Sequence, residues 1–324
     1  MYAIVIEPGE VLAWREVEDP RPPGPGHVLV AVAATGVNRA DLMQRAGHYP
    51  PPPGASEILG LECSGTVEAV GPGVNRWRVG DRVCALLAGG GYAQRVVVPE
   101  RHLLPVPDAL DLTDAAALPE ALCTAWSNLR DIGRLRPGNT VVIHGGAGGV
   151  GTIALQVARF LGASAVVTTA REEHAAACES YGATHVIDYR TGDFVAVTRE
   201  LGGADVILDV QGAKALAHNL SALALDGRLV IIGLQSGAHA EVNLATLLSK
   251  RATLAATMLR NRSSNFKGDL IDDIRRFGWD LATWDEASWL RPVVHAVLPI
   301  QQAAEAHAVL EAGGHVGKVV LTVR

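Results

Sequence analysis

The stretch Val141–Gly151, VVIHGGAGGVG, constrains the fold more than any other part of the chain. Its Gly146, Gly148 and Gly151 satisfy the spacing G-x-G-x-x-G. Alone, that spacing is weak evidence, because glycine-rich loops produce it by chance. Here the apolar run TVVIH precedes it, and Val150, Ile153, Ala154, Val157 and Leu161 recur behind it at helical spacing, up to Gly162. The glycines therefore fall on a strand-to-helix turn. There they permit a tight bend and let backbone N–H groups at the positive end of the helix approach a diphosphate. A βα turn that binds nothing is the alternative.

From about residue 120 onward, strand-length apolar runs alternate with helix-length stretches: TVVIH, SAVVTTA, THVID, DVILDV, GRLVIIG and TLAATML. Such alternation means βαβ units and a parallel sheet covered on both faces. Six strands suit a doubly wound nucleotide fold. Residues 1 to about 110 read differently. Short β-branched runs such as YAIVI and HVLVAVAATGV are separated by Gly and Pro clusters, the pattern of an antiparallel β domain. The terminal GKVVLTVR resembles this β-rich start, so the C-terminus is expected to return to the first domain. The expected fold class is thus α/β, with a β-rich domain over 1–120 and 265–324 interrupted by a dinucleotide-binding domain over 121–264.

At 324 residues the chain is long enough for two cores, and 48% hydrophobic against 19% charged residues argues against disorder. A net charge of -6 offers no basic field for phosphate backbones, so nucleic acid is a poor partner and a small molecule the better one. Cys63, Cys84, Cys123 and Cys178 lack any C-x-x-C spacing and read as buried, inert thiols. The start MYAIVIEPGE lacks a basic head before a long apolar run, and no apolar run is long enough for a membrane span. A cytoplasmic protein without membrane association is expected.

Nicotinamide-binding folds that prefer NADH place an acidic side chain about twenty residues beyond the glycines, on the ribose hydroxyls. This chain has Arg171, twenty positions after Gly151. A guanidinium cannot accept from hydroxyls, yet it matches a 2′-phosphate, so NADPH is the expected cofactor. Glu172 and Glu173 follow directly and compete for the ribose; a solvated helix-start role for Arg171 is the alternative.

The stretches NRADLMQRAGHYPPPPGASEILGLECSGTVEAVG, AAALPEALCTAW, HGGAGGVG, LALDGRLVIIG and MLRNR, in this order, resemble the zinc-free quinone oxidoreductases of the medium-chain dehydrogenase/reductase superfamily. The resemblance spans nearly the whole chain. It implies a GroES-like catalytic domain beside a Rossmann domain, with NADPH held between them, and a homodimer joined along the edge strand TLAATML. Zinc-dependent members carry a Cys in the first motif and a G-H-E in the second. This chain has Asn38 and Leu61 at those positions, neither a metal ligand, so no metal is expected. Without zinc to acidify an alcohol, reduction of an electron-poor acceptor such as a quinone is the expected chemistry.

The resemblance also carries site residues. Asn38 and Tyr49 are expected beside the nicotinamide, Asn38 orienting ribose or carboxamide and Tyr49 donating to the acceptor oxygen. For Tyr49 the alternative is an aromatic that anchors the YPPPP loop. Thr124, taken to begin the helix of LCTAW, is placed near the nicotinamide. Backbone contacts to the cofactor come from Gly146, Gly148, Gly149, Val150 and Gly151, and 2′-phosphate contacts from Arg171 and Tyr189. Gly233, Leu259, Arg260 and Lys318 complete the cofactor set. Two other functions remain open: NADPH-dependent reduction of an enone or enoyl double bond, and a non-catalytic NADPH-binding protein with a structural or RNA-binding role.

Overall fold

The computed structural model describes residues 1–285 and 287–323. It divides into two compact units, 1–123 with 259–324 and 124–258.

In the first unit, β1 (Tyr2–Glu7) and β2 (Val11–Glu16) form an antiparallel pair. Then β3 (His27–Val37), β4 (Glu62–Val70), β5 (Arg82–Leu86), β6 (Arg95–Pro99) and β7 (Leu103–Pro105) assemble into one sheet with antiparallel neighbours. Burial alternates along β3 until its last turn, as a period-two strand with one covered face requires. Val28, Val30 and Val32 from that face join Val67, Val83 and Val98 in a single apolar cluster.

The second unit is a parallel sheet of β8 (Thr140–His144), β9 (Ala165–Ala170), β10 (His185–Asp188), β11 (Ala204–Asp209), β12 (Leu223–Ile231) and β13 (Thr253–Ala256), in the order β10-β9-β8-β11-β12-β13. Val141, Val142 and Ile143 are 0% exposed, which explains why β8 reads as a continuous apolar run rather than an alternating one. The strand order reverses between β8 and β11, and ligands of open α/β sheets bind beyond the carboxyl ends at such a reversal.

The chain then returns to the first sheet. The strands β14 (Val294–Pro299) and β15 (Lys318–Thr322) pair parallel, linked by the helix Ala303–Ala312, and β15 pairs antiparallel with β3. The sequence pattern anticipates the return but not that the added pair is parallel. The edge strand β13 is also shorter than TLAATML suggests: it ends at Ala256, and Thr257 donates its hydroxyl to Asn128 Oδ1 at 2.6 Å. Among the described residues no helix is long and apolar enough to cross a membrane.

Candidate functional site

The second unit builds the glycine turn. β8 ends at His144, whose buried ring is held between Thr169 Oγ1 at 3.0 Å and Asn219 Oδ1 at 2.7 Å. Gly145 follows with φ +74°, a region strained for a side-chain-bearing residue. A Cβ on Gly146 would lie 2.2 Å from Thr168 Oγ1, and one on Gly151 would lie 2.1 Å from the Gly145 carbonyl oxygen. Those two glycines are therefore demanded by the close seating of helix Gly149–Phe160 on the turn. Gly148, the N-cap, is less confined: its Cβ would meet only the Gly145 oxygen, at 3.3 Å.

Thr152 is the first residue of this helix to donate backward, to Gly148 O at 2.9 Å. The N–H groups of Gly149, Val150 and Gly151 thus lack intrahelical acceptors, and Gly148, Gly149 and Val150 are only half-buried. Free donors at a helix N-terminus, next to a turn with no side chains, fit a diphosphate.

At the carboxyl end of β9, Arg171 Nε donates to Tyr189 Oη at 3.1 Å. The two residues are eighteen apart in sequence, and the pairing of β9 with β10 brings them together. Arg171 Nη1 also reaches Glu173 Oε1 at 3.4 Å, so the competing carboxylate lies on the guanidinium rather than facing away. Asp188 is engaged separately. Its carboxylate accepts from Arg190, which holds it well below the usual carboxylate range, and from the Glu172 N–H. Gly233 stands two residues past β12, where a Cβ would come 2.9 Å from Val210 O. Thr124 does not begin its helix as expected. It is the sixth residue of Pro119–Trp126, buried, with its carbonyl accepting Asn128 Nδ2 at 2.8 Å.

The first unit gathers a different set. Lys318, the first residue of β15, places Nζ 2.6 Å from Glu62 Oε1 and 2.5 Å from Asn38 Oδ1, with side-chain exposures of 4% for Lys318 and 0% for Glu62. Asn38 Nδ2 also donates to Glu62 Oε1 at 2.9 Å, and the Glu120 N–H donates to Glu62 Oε2 at 2.9 Å. A Cβ on Gly36 would lie 2.3 Å from Glu62 Oε1, so this carboxylate lies directly over bare backbone. Burial, reinforced by the Glu62 charge, pushes the Glu120 carboxyl up to about 8. Burial likewise pushes Asp41 up to about 6, against the N–H donors of Asn38 and Gly60.

Three residues expected at the cofactor make hydrogen bonds within the first unit. Asn38 and Lys318 hold each other and Glu62. Arg260, 3% exposed, donates to Ala88 O at 2.8 Å, Tyr49 O at 3.1 Å and Gln44 Oε1 at 2.7 Å, and its guanidinium lies 5.2 Å from the Tyr49 ring centre. Arg260 thus fixes the Tyr49 loop. The Tyr49 hydroxyl is pushed up to about 12 by burial, with Glu120 adding to it, so the phenol keeps its proton at neutral pH. Leu259, just before Arg260, is half-buried.

Glu62, Glu120 and Lys267 were not picked out by sequence reasoning. For Glu62 the available signal was a charged residue set inside an apolar run, ILGLECSG. Among the described residues no group of three or more His, Cys, Asp or Glu side chains stands together as a metal site.

Comparisons with known proteins agree with this architecture. Residues 149–276 match the family described as zinc-binding dehydrogenase, and residues 24–108 match the alcohol dehydrogenase GroES-like domain. A 2-haloacrylate reductase from Burkholderia sp is 34% identical over 99% of this chain and 98% of its own. A quinone oxidoreductase from Rattus norvegicus is 29% identical over 91% of this chain and 88% of its own. Among solved structures, an NAD-dependent alcohol dehydrogenase superposes with a TM-score of 0.85 at 31% identity, covering 100% of both chains. A mycobacterial protein complexed with NADPH gives 0.84 at 34% identity, covering 99% of this chain and 100% of that one. With a GroES-like unit carrying the buried Lys318–Glu62 pair and a Rossmann-type unit carrying the glycine turn, the chain belongs to the medium-chain dehydrogenase/reductase superfamily of NAD(P)-binding oxidoreductases.

Proposed function

We propose that this chain is an NADPH-dependent quinone reductase that transfers hydride without zinc. The observation that carries the cofactor choice is the Arg171 guanidinium at the end of β9, bonded to the Tyr189 hydroxyl at 3.1 Å. That pair offers N–H and O–H donors where a 2′-phosphate needs them and a ribose hydroxyl does not. The diphosphate lies on the free N–H groups of Gly149, Val150 and Gly151. Bound there, the cofactor supplies a hydride. Asn38 and Leu61 occupy positions that hold ligands in zinc-dependent relatives, and Asn38 is bonded to the Lys318 ammonium instead. The protonated Tyr49 phenol is the donor that quenches the developing oxyanion.

The test of this reading is NADPH oxidation against a panel of quinones and enones, with metal analysis of the purified protein. Quinone turnover without stoichiometric zinc supports it; turnover of enones alone overturns the quinone assignment. Reduction of an activated C=C bond is the second reading, favoured by the likeness to a 2-haloacrylate reductase. A purely structural or RNA-binding role fits the net charge of -6 poorly, and measurable turnover would retire it.

Replacing Arg171 by Glu is expected to narrow the preference for NADPH over NADH by at least tenfold in kcat/KM, about 1.4 kcal/mol. An unchanged ratio would mean the guanidinium does not meet the phosphate. One of the sheet's two edge strands, β13, follows a helix whose Leu244 and Leu248 are 72% and 81% exposed. We infer a homodimer closed along this edge. Light scattering is expected to give a mass above the 34.0 kDa of one chain, and a mass equal to it would refute the dimer.

A further inference from the structure

The first unit contains a cavity of about 670 Å³ whose lining includes Arg260, Arg262, Lys267 and His102 but no Asp or Glu. Pro52, Ile58, Leu86 and Val97 are among its apolar lining residues.

Arg95 and the N-terminal ammonium, which also lie on the lining, are paired with Glu68 and Asp19, but the charges of Arg260 and Lys267 are not paired in this way. Arg260 and Lys267 are 3% and 4% exposed, yet neither has a carboxylate within ion-pair distance among the described residues. Arg260 is bonded to neutral oxygens alone, and the Lys267 ammonium donates to Arg260 O at 2.7 Å. Buried cations are normally paired with anions, because neutral acceptors recover only part of the lost hydration. Lys267 also lies in the first turns of helix Ser264–Phe277, where the dipole opposes a cation and favours an anion.

The titratable groups acting on Lys267 are Glu120, Arg260 and Cys123: Arg260 repels it, and burial pushes the Glu120 carboxyl up to about 8 and the Cys123 thiol well above its ordinary value, which weakens both as counter-charges. Burial lowers the pKa of His102, whose Nε2 lies 2.9 Å from Ser264 O, and an imidazole in either state supplies no negative charge. An anionic ligand would satisfy the cations, and an apolar body on it would cover the apolar lining.

We propose that this cavity binds a small carboxylate with an apolar body, its carboxylate lying between Lys267 and Arg262, and that the acceptors this chain reduces include electron-poor alkenes or quinones bearing such a group. The second clause rests on the reductase reading above; the binding site does not.

The binding test is calorimetric titration of the full chain, without cofactor, using benzoate, neutral benzamide and inorganic phosphate as probes. Benzoate is expected to bind at least about tenfold tighter than benzamide, and Lys267→Met and the exposed-site variant Arg262→Gln are each expected to weaken it about fivefold or more. Equal affinity for benzoate and benzamide, tighter binding of phosphate than of benzoate, or wild-type affinity in both variants overturns the site. For the acceptor, the measured quantity is the kcat/KM ratio of an acceptor acid over its methyl ester, expected to fall about fivefold in Arg262→Gln. An unmoved ratio removes the substrate role. Benzoate binding in a protein that fails to oxidise NADPH with any of the acceptors keeps the site and sinks the reductase reading instead.

Discussion

Replacing Lys318 by Met is expected to destabilise the protein by about 3–5 kcal/mol, the usual consequence of stranding one member of a buried ion pair. Lys318 is 4% exposed and its ammonium is 2.6 Å from a Glu62 carboxylate that no solvent reaches. Methionine matches the volume of the stem but leaves Glu62 with only the Asn38 amide and the Glu120 N–H as donors. Two neutral donors do not offset the hydration lost by a buried carboxylate. The pair joins the first residue of β15 to the first residue of β4, so the loss acts on the seam that returns the C-terminal strands to the first sheet. Urea unfolding at pH 7 measures the effect. The double variant with Glu62→Gln separates pairing from packing, because removing both charges is expected to restore part of the loss. A Lys318→Met midpoint within error of wild type would show that the ammonium is not what holds Glu62 in place.

Much of this site was legible where the determining interactions are local. The glycine turn is read correctly because the strand before it and the helix after it carry their own periodicities within about twenty residues. The return of the C-terminus is also visible, since β15 keeps the β-branched run of a covered strand. The spacing of Arg171 puts it just past the end of β9, and its contact with Tyr189 follows once β9 and β10 are adjacent.

What the sequence conceals depends on distant partners. Lys318 and Glu62 are brought together by a crossing of strands, and each alone looks like an ordinary solvated charge. Arg260 reads from the sequence only as an expected cofactor residue, and nothing local reveals that Gln44, Tyr49 and Ala88, all more than 170 residues away, accept from its guanidinium. Lys267 falls on the covered face of a charged helix, and only the tertiary structure shows which of that helix's cations lose their water.

The glycine turn allows a comparison in which stability and cofactor affinity separate. Gly151→Ala places a Cβ 2.1 Å from the Gly145 carbonyl oxygen, a contact with backbone on both sides that no rotamer change relieves. The helix Gly149–Phe160 must then lift from the turn, at a cost of about 1–3 kcal/mol for overpacking a close contact. Because the same displacement moves the free N–H groups of Gly149 and Val150, NADPH affinity is expected to fall by about a hundredfold, or 2.8 kcal/mol. Gly148→Ala differs in kind. Its Cβ would lie 3.3 Å from one oxygen and within 4 Å of nothing else beyond the adjacent chain, at an N-cap with φ -71°, so the fold accommodates it with a shift of tenths of an ångström. If NADPH nevertheless binds this variant at least about tenfold more weakly while its urea midpoint stays put, the added methyl group occupies the ligand's space. Should both variants bind NADPH as the wild type does, the diphosphate does not lie on this turn, and the assignment of the cofactor to the end of β8 fails.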